Sequence, residues 1–113
     1  MKPLLDWETF AKVDMRVGTI INVEPFPEAR NPAYKLTIDF GKELGVKKSS
    51  AQITSLYTIE NLMGKQIVAV VNFPPKQVAN IKSECLVLGV LGNDKDVILL
   101  QPESSAENGW KIS

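Results

Sequence analysis

Histidine is absent from the 113-residue sequence, and cysteine occurs only once. Without histidine the chain cannot build a Ser-His or Cys-His nucleophile or a His-ligated metal site. The single thiol, Cys85, cannot form an internal disulfide or a site of several thiolates, and its apolar neighbours indicate a core thiol rather than a reactive one. A Gly-rich phosphate loop is also missing. We therefore predict no metal, no cofactor and no catalytic residue.

The remaining acid–base side chains do not make an enzyme the preferred interpretation. No pair of carboxylates or lysines stands in an apolar setting that would shift a pKa. An enzyme acting through Glu28 or Glu84 is therefore the least favoured hypothesis. A chain of this length has little room for an enclosed active site, so we expect it to act through its surface.

Long apolar runs are missing as well. The two longest, residues 67–71 and 85–91, are far shorter than the roughly 20 residues that cross a bilayer. The N-terminus reaches Asp6 and Trp7 before the apolar core of a signal peptide could form. We therefore expect a cytoplasmic protein that does not insert into a membrane.

Neither sign of charge is in excess, but the charges are unevenly distributed. The net charge is zero, which argues against long-range steering of a charged partner. Residues 30–82 contain eight Lys or Arg and three acids, so the middle of the chain carries +5. This segment permits a modest contact with an anionic partner. Charges that are simply solvated on a strand-rich surface are an equally weighted alternative.

Strands with a period of two make up most of the chain. Apolar alternation or β-branched runs predict strands at 16–24, 34–40, 47–53, 66–73, 85–91 and 96–101. Asp6 and Thr58 are predicted N-caps of two short helices. A helix between the third and fourth strands favours an all-β fold of the OB type, a five-stranded barrel with a short N-terminal helix, over a small sandwich or an SH3-like barrel. We expect a single domain over residues 1–113, with a helical segment at 1–15, the barrel at 16–102 and a tail at 103–113.

The first strand carries two local expectations. Its period places Val17, Ile21 and Val23 on one face, and Gly18 and Ile20 on the other. Glycine inside a strand predicts a bulge or sharp coiling at Gly18.

Two other segments are predicted less regularly. Trp7, Phe10, Ala11 and Val13 are expected to cover one edge of the barrel core from the N-terminal helix. Residues 76–81, which follow two prolines, are predicted as a loop or a single helical turn.

In an OB barrel, ligands lie across the second and third strands and the loops beside them. Aromatic platforms for base stacking are scarce on that face, because the period directs Tyr34 and Phe40 to the core and leaves only Phe73 near a rim. Shape-based or peptide binding is therefore favoured over sequence-specific stacking. The outward residues are polar or charged, and only one of them is acidic: Lys35, Thr37, Asp39, Lys47, Lys48, Ser50 and Gln52.

Three segments carry a family resemblance. Residues 10–18 (FAKVDMRVG), 71–89 (VNFPPKQVANIKSECLVLG) and 97–102 (VILLQP) resemble, in this order, the tRNA-binding domain found on methionyl- and tyrosyl-tRNA synthetases and in free-standing tRNA-binding proteins. The resemblance covers essentially the whole chain. It implies a tRNA-binding type of OB-fold and a binding function.

Three features depart from the general pattern of that family. The first loop (FPEARNPAYKL, 26–36) is longer than usual, SSAQIT at 49–54 stands in place of a Ser-Gly pair, and Cys85 stands where a glycine is usual. Together they resemble a bacterial subgroup of export-related chaperones. That resemblance implies a cytoplasmic homodimer that binds unfolded preproteins or peptides and assists protein export. The secretion motor and tRNA are further candidate partners.

The resemblance also implies a set of ligand-binding residues, for a peptide or for tRNA. Packing or backbone hydrogen bonding is the alternative role for two of them, Ala51 and Asn72. The alternative function is a structure-selective tRNA-binding protein that acts in trans with a synthetase or another RNA enzyme. The set is Pro27, Glu28, Ala29, Arg30, Lys35, Ser50, Ala51, Gln52, Asn72, Lys76, Lys82, Ser83 and Glu84.

Apolar residues at both ends of the chain lie outside the predicted strands. Termini are usually disordered unless something holds them, so apolar side chains there suggest a contact surface. The alternative to a partner surface is that both ends fold back onto their own barrel. We predict a homodimer interface formed by Leu4, Leu5, Trp7, Trp110 and Ile112.

Overall fold

The computed structural model describes the whole chain, Met1–Ser113. It is mainly β with short helices arranged around a nearly closed barrel, which confirms the predicted fold class. In chain order the elements are α1 (Trp7–Ala11), β1 (Met15–Pro25), β2 (Tyr34–Asp39), α2 (Gly41–Leu44), β3 (Val46–Ala51), α3 (Ile59–Leu62), β4 (Gln66–Val70), β5 (Lys76–Val78), β6 (Ile81–Ser83), β7 (Leu86–Val87), β8 (Gly89–Leu91), β9 (Val97–Leu99) and β10 (Lys111–Ile112).

The barrel is built around β1, its longest strand. The main sheet has the order β3-β2-β1-β4-β7, and all its neighbours are antiparallel. The first half of β1 pairs with β4 and the second half with β2, so this strand belongs to both sides of the barrel. β5–β6 and β8–β9 form two further hairpins. The end of β6 returns to β3, where the Glu84 N–H donates to the Lys48 carbonyl at 2.7 Å.

The core is formed by the inward residues of these strands. Leu36, Ile38 and Phe40 are all fully buried, which confirms the alternation predicted for the second strand. Ile67 of β4 joins them from the other side of the barrel. A strand that is half-buried alternates cleanly, and this is why its facing could be predicted.

The facing predicted for the second half of β1 is wrong. The register with β2 shifts between Ile20 and Asn22, which makes Ile21 the extra residue of a β-bulge. Ile20 and Val23 are therefore buried on the core side, whereas Ile21 is 45% exposed. Because Ile20 and Ile21 are both apolar, the alternation in the sequence is compatible with either of them facing the core. The sequence pattern therefore does not locate the bulge.

Gly18 is not the bulge residue. Its partner in β4, Ile67, is in regular register. A Cβ at position 18 would stand 2.7 Å from Ile38 Cγ2 and equally close to the Phe40 ring. Glycine at this position therefore provides the space into which the core ring of Phe40 packs.

α1 begins as predicted but does not cover the barrel. Asp6 Oδ1 accepts a hydrogen bond from the Thr9 N–H at 2.7 Å, and this bond lowers the pKa of Asp6. No residue of α1 is buried, and Trp7 is 89% exposed. The prediction that Trp7, Phe10, Ala11 and Val13 cover the core edge is therefore wrong. The helix has only five residues, and the barrel core is already filled by residues of the strands and of α3.

α3 supplies the helical residue of the core. Thr58 caps it in a reciprocal capping box with Asn61, as its N-cap position predicts. Leu62 on its last turn is fully buried among the strand residues. None of the three helices is long and apolar enough to cross a membrane.

Residues 76–81 form a hairpin, so the predicted loop or helical turn is wrong. β5 and β6 pair in register from Lys76↔Ser83 to the turn. Ala79 in that turn has a φ of +48°, a left-handed conformation that glycine or asparagine adopts more readily. Because the turn contains no glycine, the sequence carries no strong hairpin signal here.

The C-terminal tail is part of the main sheet. β10 pairs with the start of β1, where Met15 lies opposite Ile112. The Gly109 N–H donates to the Val17 carbonyl at 2.8 Å, and the Val17 N–H donates to the Trp110 carbonyl at 3.0 Å. The tail therefore folds back onto its own barrel, and its order requires no partner. The side chain of Trp110 is nevertheless 56% exposed.

Candidate functional site

A polar row crosses four strands on the outer face of the barrel. Lys35 of β2 lies opposite Ser50 of β3, and Ser83 of β6 lies opposite Lys76 of β5. The two pairs are joined where the Ser50 N–H donates to Ser83 Oγ at 3.2 Å. Opposite residues in antiparallel strands share a face. The structure thus brings together four of the predicted ligand-binding residues, which we call the groove row: Lys35, Ser50, Ser83 and Lys76.

Side chains at the end of β6 also close the barrel. Ser83 Oγ and Glu84 Oε1 accept hydrogen bonds from the backbone N–H groups of Ser50 and Lys48, the latter at 2.9 Å. The edge of β3 would otherwise present these donors unpaired. Both residues were predicted to bind a ligand, and both have this structural role in addition.

An apolar pocket of about 340 Å³ opens beside the groove row. Phe73 and Leu86 are 54% and 50% exposed, so the pocket offers large apolar surfaces to a ligand. Phe73 is the aromatic residue that the sequence placed near a rim. The lining consists of Phe73, Pro74, Lys76, Ser83, Cys85 and Leu86.

The β1–β2 loop lies beside the other end of the row. Phe26 is buried and anchors the loop, and Lys35 Nζ lies 5.4 Å from the centre of its ring. This cation–π contact holds Lys35 near the loop. The predicted residues that flank the row and are exposed or half-buried are Pro27, Glu28, Ala29 and Arg30 of this loop, Gln52 after β3 and Lys82 of β6.

Two predicted residues lie apart from the groove row. Ala51 is opposite Tyr34 on the core side of the β2–β3 ladder and is only 8% exposed. Asn72 Oδ1 accepts from the Asp14 N–H at 3.0 Å, and its Nδ2 donates to the Lys12 carbonyl at 2.7 Å. Ala51 therefore packs in the core, and Asn72 holds the segment that connects α1 to β1.

The cations near the groove row have no acidic partner within the chain. The only ion pairs are those of Arg16 with Asp14 and Glu43. Arg16 is buried on another part of β1, and its hydrogen bond to Asp14 is the main cause of its raised pKa. Positive charge at the groove is thus available to a ligand. It is carried by Lys35 and Lys76 of the row, by Lys48 two positions before Ser50 on β3, and by Arg30 of the β1–β2 loop; Lys82 alternates with Ser83 and so lies on the other side of the β5–β6 hairpin.

The outer side of the barrel carries a broad apolar surface that was not predicted from the sequence. Met15 of β1 lies between Ile112 of β10 and Val70 of β4, and Val70 lies opposite Leu86 of β7. These four residues form one apolar row across the outer side of four strands. Leu86 also lines the pocket beside the groove row, so the two surfaces adjoin.

A second apolar row runs beside the first. Val17 pairs with Val68 in the β1–β4 ladder, and backbone hydrogen bonds link Val17 to Trp110, Leu88 to Val68, and Leu100 to Leu88. On the β8–β9 hairpin, Val90 lies opposite Ile98, and each side chain is about half exposed. We call the accessible part of these rows the apolar sheet face: Met15, Leu86, Leu88, Val90, Ile98, Leu100, Trp110 and Ile112.

A cleft of about 810 Å³ between α1 and β10 continues this surface. Met15 and Ile112 belong to both the cleft and the apolar sheet face. Leu4 and Leu5, which precede α1, are 93% and 63% exposed. Three of the five predicted interface residues, Trp7, Trp110 and Ile112, thus border one continuous apolar area. The apolar lining of the cleft consists of Trp7, Phe10, Ala11, Val13, Met15 and Ile112.

Known proteins resemble this chain in both sequence and fold. Residues 15–111 match the family described as "Putative tRNA binding domain". The chaperone CsaA from Bacillus anthracis is 57% identical, with a TM-score of 0.93 over 98% of this chain and 100% of that one. The CsaA chaperone protein from Picrophilus torridus is 51% identical, with a TM-score of 0.92 over 97% of this chain and 100% of that one.

A synthetase is a more distant relative. The methionine–tRNA ligase of Methanosarcina mazei is 30% identical over 110 residues, which are 97% of this chain. This chain spans only 15% of the length of that ligase. The matches confirm both resemblances inferred from the sequence.

Proposed function

Because this chain belongs to the tRNA-binding domain family, and because the match with CsaA extends over nearly the full length of both chains, we propose that it is a CsaA-like chaperone. In this proposal a cytoplasmic homodimer binds unfolded preproteins and assists their export, and the domain of residues 1–113 is not an enzyme. The secretion motor is a proposed partner. The full-length match with CsaA is the observation that carries the proposal.

The groove row and its pocket support client binding. An unfolded segment offers apolar side chains together with backbone and polar groups. The pocket provides Phe73 and Leu86 as exposed apolar surface, and the row provides hydroxyl and ammonium groups of Ser83 and Lys76 next to it. Such a surface binds through burial of apolar area, with polar groups that orient the chain.

The apolar sheet face supports the homodimer. Large contiguous apolar patches on a soluble protein mark interaction surfaces. Because this face is the surface of a sheet, the same face of a second copy can pack against it about a two-fold axis. A stable dimer of this kind buries roughly 800 Å² on each subunit. The predicted interface residues at the termini adjoin this face at Ile112 and Trp110.

The chaperone proposal is tested by the aggregation of a chemically denatured client, followed by light scattering. We expect the protein to slow aggregation without any nucleotide. Phe73→Ser should weaken this effect several-fold because it removes the exposed aromatic wall of the pocket. Leu56→Ser is the matched control, since Leu56 is similarly exposed (46%) but does not line the pocket. A requirement for ATP, or equal activity of the two variants, would contradict the proposal.

The second candidate function is tRNA binding, which the unpaired cations of the groove favour. Contacts to phosphates release counterions, so affinity falls with salt in proportion to their number. The natural protein and the Arg30→Ala/Lys76→Ala variant are therefore each titrated with tRNA at several salt concentrations. A flatter salt dependence in this variant assigns the groove to RNA. An unchanged slope removes the groove from the RNA interpretation.

A further inference from the structure

We infer that the groove selects client segments in which a large apolar side chain is followed by carboxylates, and that it disfavours the basic leader of a preprotein. This inference rests on the proposed chaperone function and names the chemistry of the segment that is bound. It is carried by the charges around the pocket and by the spacing of the groove row.

The pocket end of the groove combines apolar surface with one cation. Phe73, Pro74 and Leu86 provide the apolar part, and Lys76 stands in the same lining. No acidic side chain lines this pocket. A client residue with a large apolar side chain would therefore enter the pocket with Lys76 beside it, and a carboxylate next to that residue would meet the ammonium group.

Both charged members of the row, Lys35 and Lys76, are positive, and two acids flank it, Glu84 after β6 and Glu28 in the β1–β2 loop. Glu84 Oε1 already accepts a hydrogen bond from the Lys48 N–H at 2.9 Å, and Glu28 forms no ion pair with the cations of the groove. Glu24 lies opposite Lys35 in the β1–β2 ladder, yet the two form no ion pair, and Lys35 Nζ lies over the Phe26 ring instead. Cations that lack ion-pair partners within the chain favour an anionic ligand.

The spacing of the row predicts where a second carboxylate belongs. Lys35, Ser50, Ser83 and Lys76 stand on four successive strands, and neighbouring strands are about 4.8 Å apart. Lys35 is therefore roughly 14 Å from Lys76 across the face, the length of about four extended residues. A segment that crosses the strands would place one acid beside the apolar residue and another about four residues further along.

The same charges disfavour the leader of a preprotein. The start of a secretory signal peptide is positively charged. Its lysines or arginines would meet Lys35, Lys76 and the exposed Arg30 of the β1–β2 loop. Like charges brought together at a binding surface weaken association. The groove is therefore directed towards acidic and apolar segments of the mature chain.

Matched peptides test this selectivity by fluorescence anisotropy at low salt. Three labelled ten-residue peptides share one Phe-Leu pair and carry Glu, Gln or Lys at two positions four residues apart. We expect the Glu peptide to bind about three- to tenfold more tightly than the Gln peptide, as two exposed ion pairs allow, and the Lys peptide to bind most weakly. Lys35→Glu/Lys76→Glu should reverse this order.

A charge-matched variant provides the control. Lys42→Glu/Lys95→Glu makes the same change in net charge on α2 and in the β8–β9 turn, and it should keep the original order. Equal affinities for the three peptides, or tighter binding of the Lys peptide, would overturn the inference while leaving the chaperone proposal intact. The inference would also be overturned if the Lys35→Glu/Lys76→Glu variant lost tRNA binding but kept the original order of peptide affinities. Failure to slow client aggregation would instead overturn the chaperone proposal itself.

Discussion

Cys85 is a titratable side chain placed in the apolar core. It is 6% exposed, and the Ser49 hydroxyl donates to its carbonyl at 3.1 Å. Burial is the main cause that raises the pKa of its thiol to about 11. The thiol is therefore protonated near neutral pH, which agrees with the core thiol predicted from its apolar neighbours and is unfavourable for a nucleophile.

The raised pKa of Cys85 makes stability depend on pH in the alkaline range. In the unfolded chain the thiol ionises near its ordinary value of 9.0, whereas in the fold it stays protonated up to about 11. The stabilising effect is thus complete below pH 9 and is lost as pH rises towards 11. We expect the free energy of unfolding of the natural protein to fall by up to about 2–3 kcal/mol more than that of Cys85→Ala between pH 8 and 11. Urea unfolding at each pH measures this, and parallel profiles would contradict it.

Single residues also set the limit of what the sequence could predict. Gly18 was correctly singled out as special within a strand. Position 18 must be glycine because the Phe40 ring packs against it. Phe40 is 22 positions further along the chain and reaches Gly18 only in the folded barrel. Local patterns indicate that a position is constrained, but the constraint itself is a tertiary contact.

At the scale of elements, regular half-buried strands were predictable and irregular connections were not. β2 alternates strictly, so its core face followed from the period. The β5–β6 hairpin turns at Ala79 without glycine, and the bulge at Ile21 interrupts a run of apolar residues, so neither leaves a clear signal. The groove row nevertheless emerged from the prediction, because its residues lie on the outward positions of predicted strands or beside them. β10 was missed because a strand of two residues is defined by its partner.

The attachment of β10 depends on a side-chain latch. Gln66 Nε2 donates to the Ala106 carbonyl at 2.6 Å, and the Ala106 N–H donates to Gln66 Oε1 at 3.0 Å. We expect Gln66→Ala to cost about 1–3 kcal/mol, since it leaves two partly buried backbone groups unsatisfied. Amide hydrogen exchange should then quicken selectively at Gly109 and Val17, where the tail meets β1. Gln101→Ala, at an exposed position, should do neither. Uniform exchange changes across the barrel would argue against a local latch.

At the scale of the whole molecule, the groove and the apolar sheet face adjoin at Leu86, which contributes to both. A dimer built on this face would carry two grooves, and a long unfolded client could occupy both, which raises its effective affinity. The sheet face escaped prediction because the outward positions of barrel strands are normally polar. Residues 85–91 are apolar at nearly every position, a pattern that predicts one strand without indicating which side chains face outward, whereas the segment forms β7 and β8.

A charged side chain on the apolar sheet face should separate the two subunits of the proposed homodimer. Val90→Lys/Ile98→Lys places two ammonium groups where two apolar side chains would be buried against the partner, and burying unpaired charge is strongly unfavourable. We expect this variant to sediment as a monomer at concentrations where the natural protein is a dimer. Val46→Lys is the control, because Val46 is similarly exposed (55%) on β3, outside the apolar sheet face. Trp7→Ala/Trp110→Ala examines the terminal residues in the same way and leaves the β10 backbone pairing in place. If only this last variant dissociates, Trp7 and Trp110 hold the subunits together and the Val90–Ile98 part of the sheet face does not; if neither variant changes the sedimenting species, both parts are excluded as the interface.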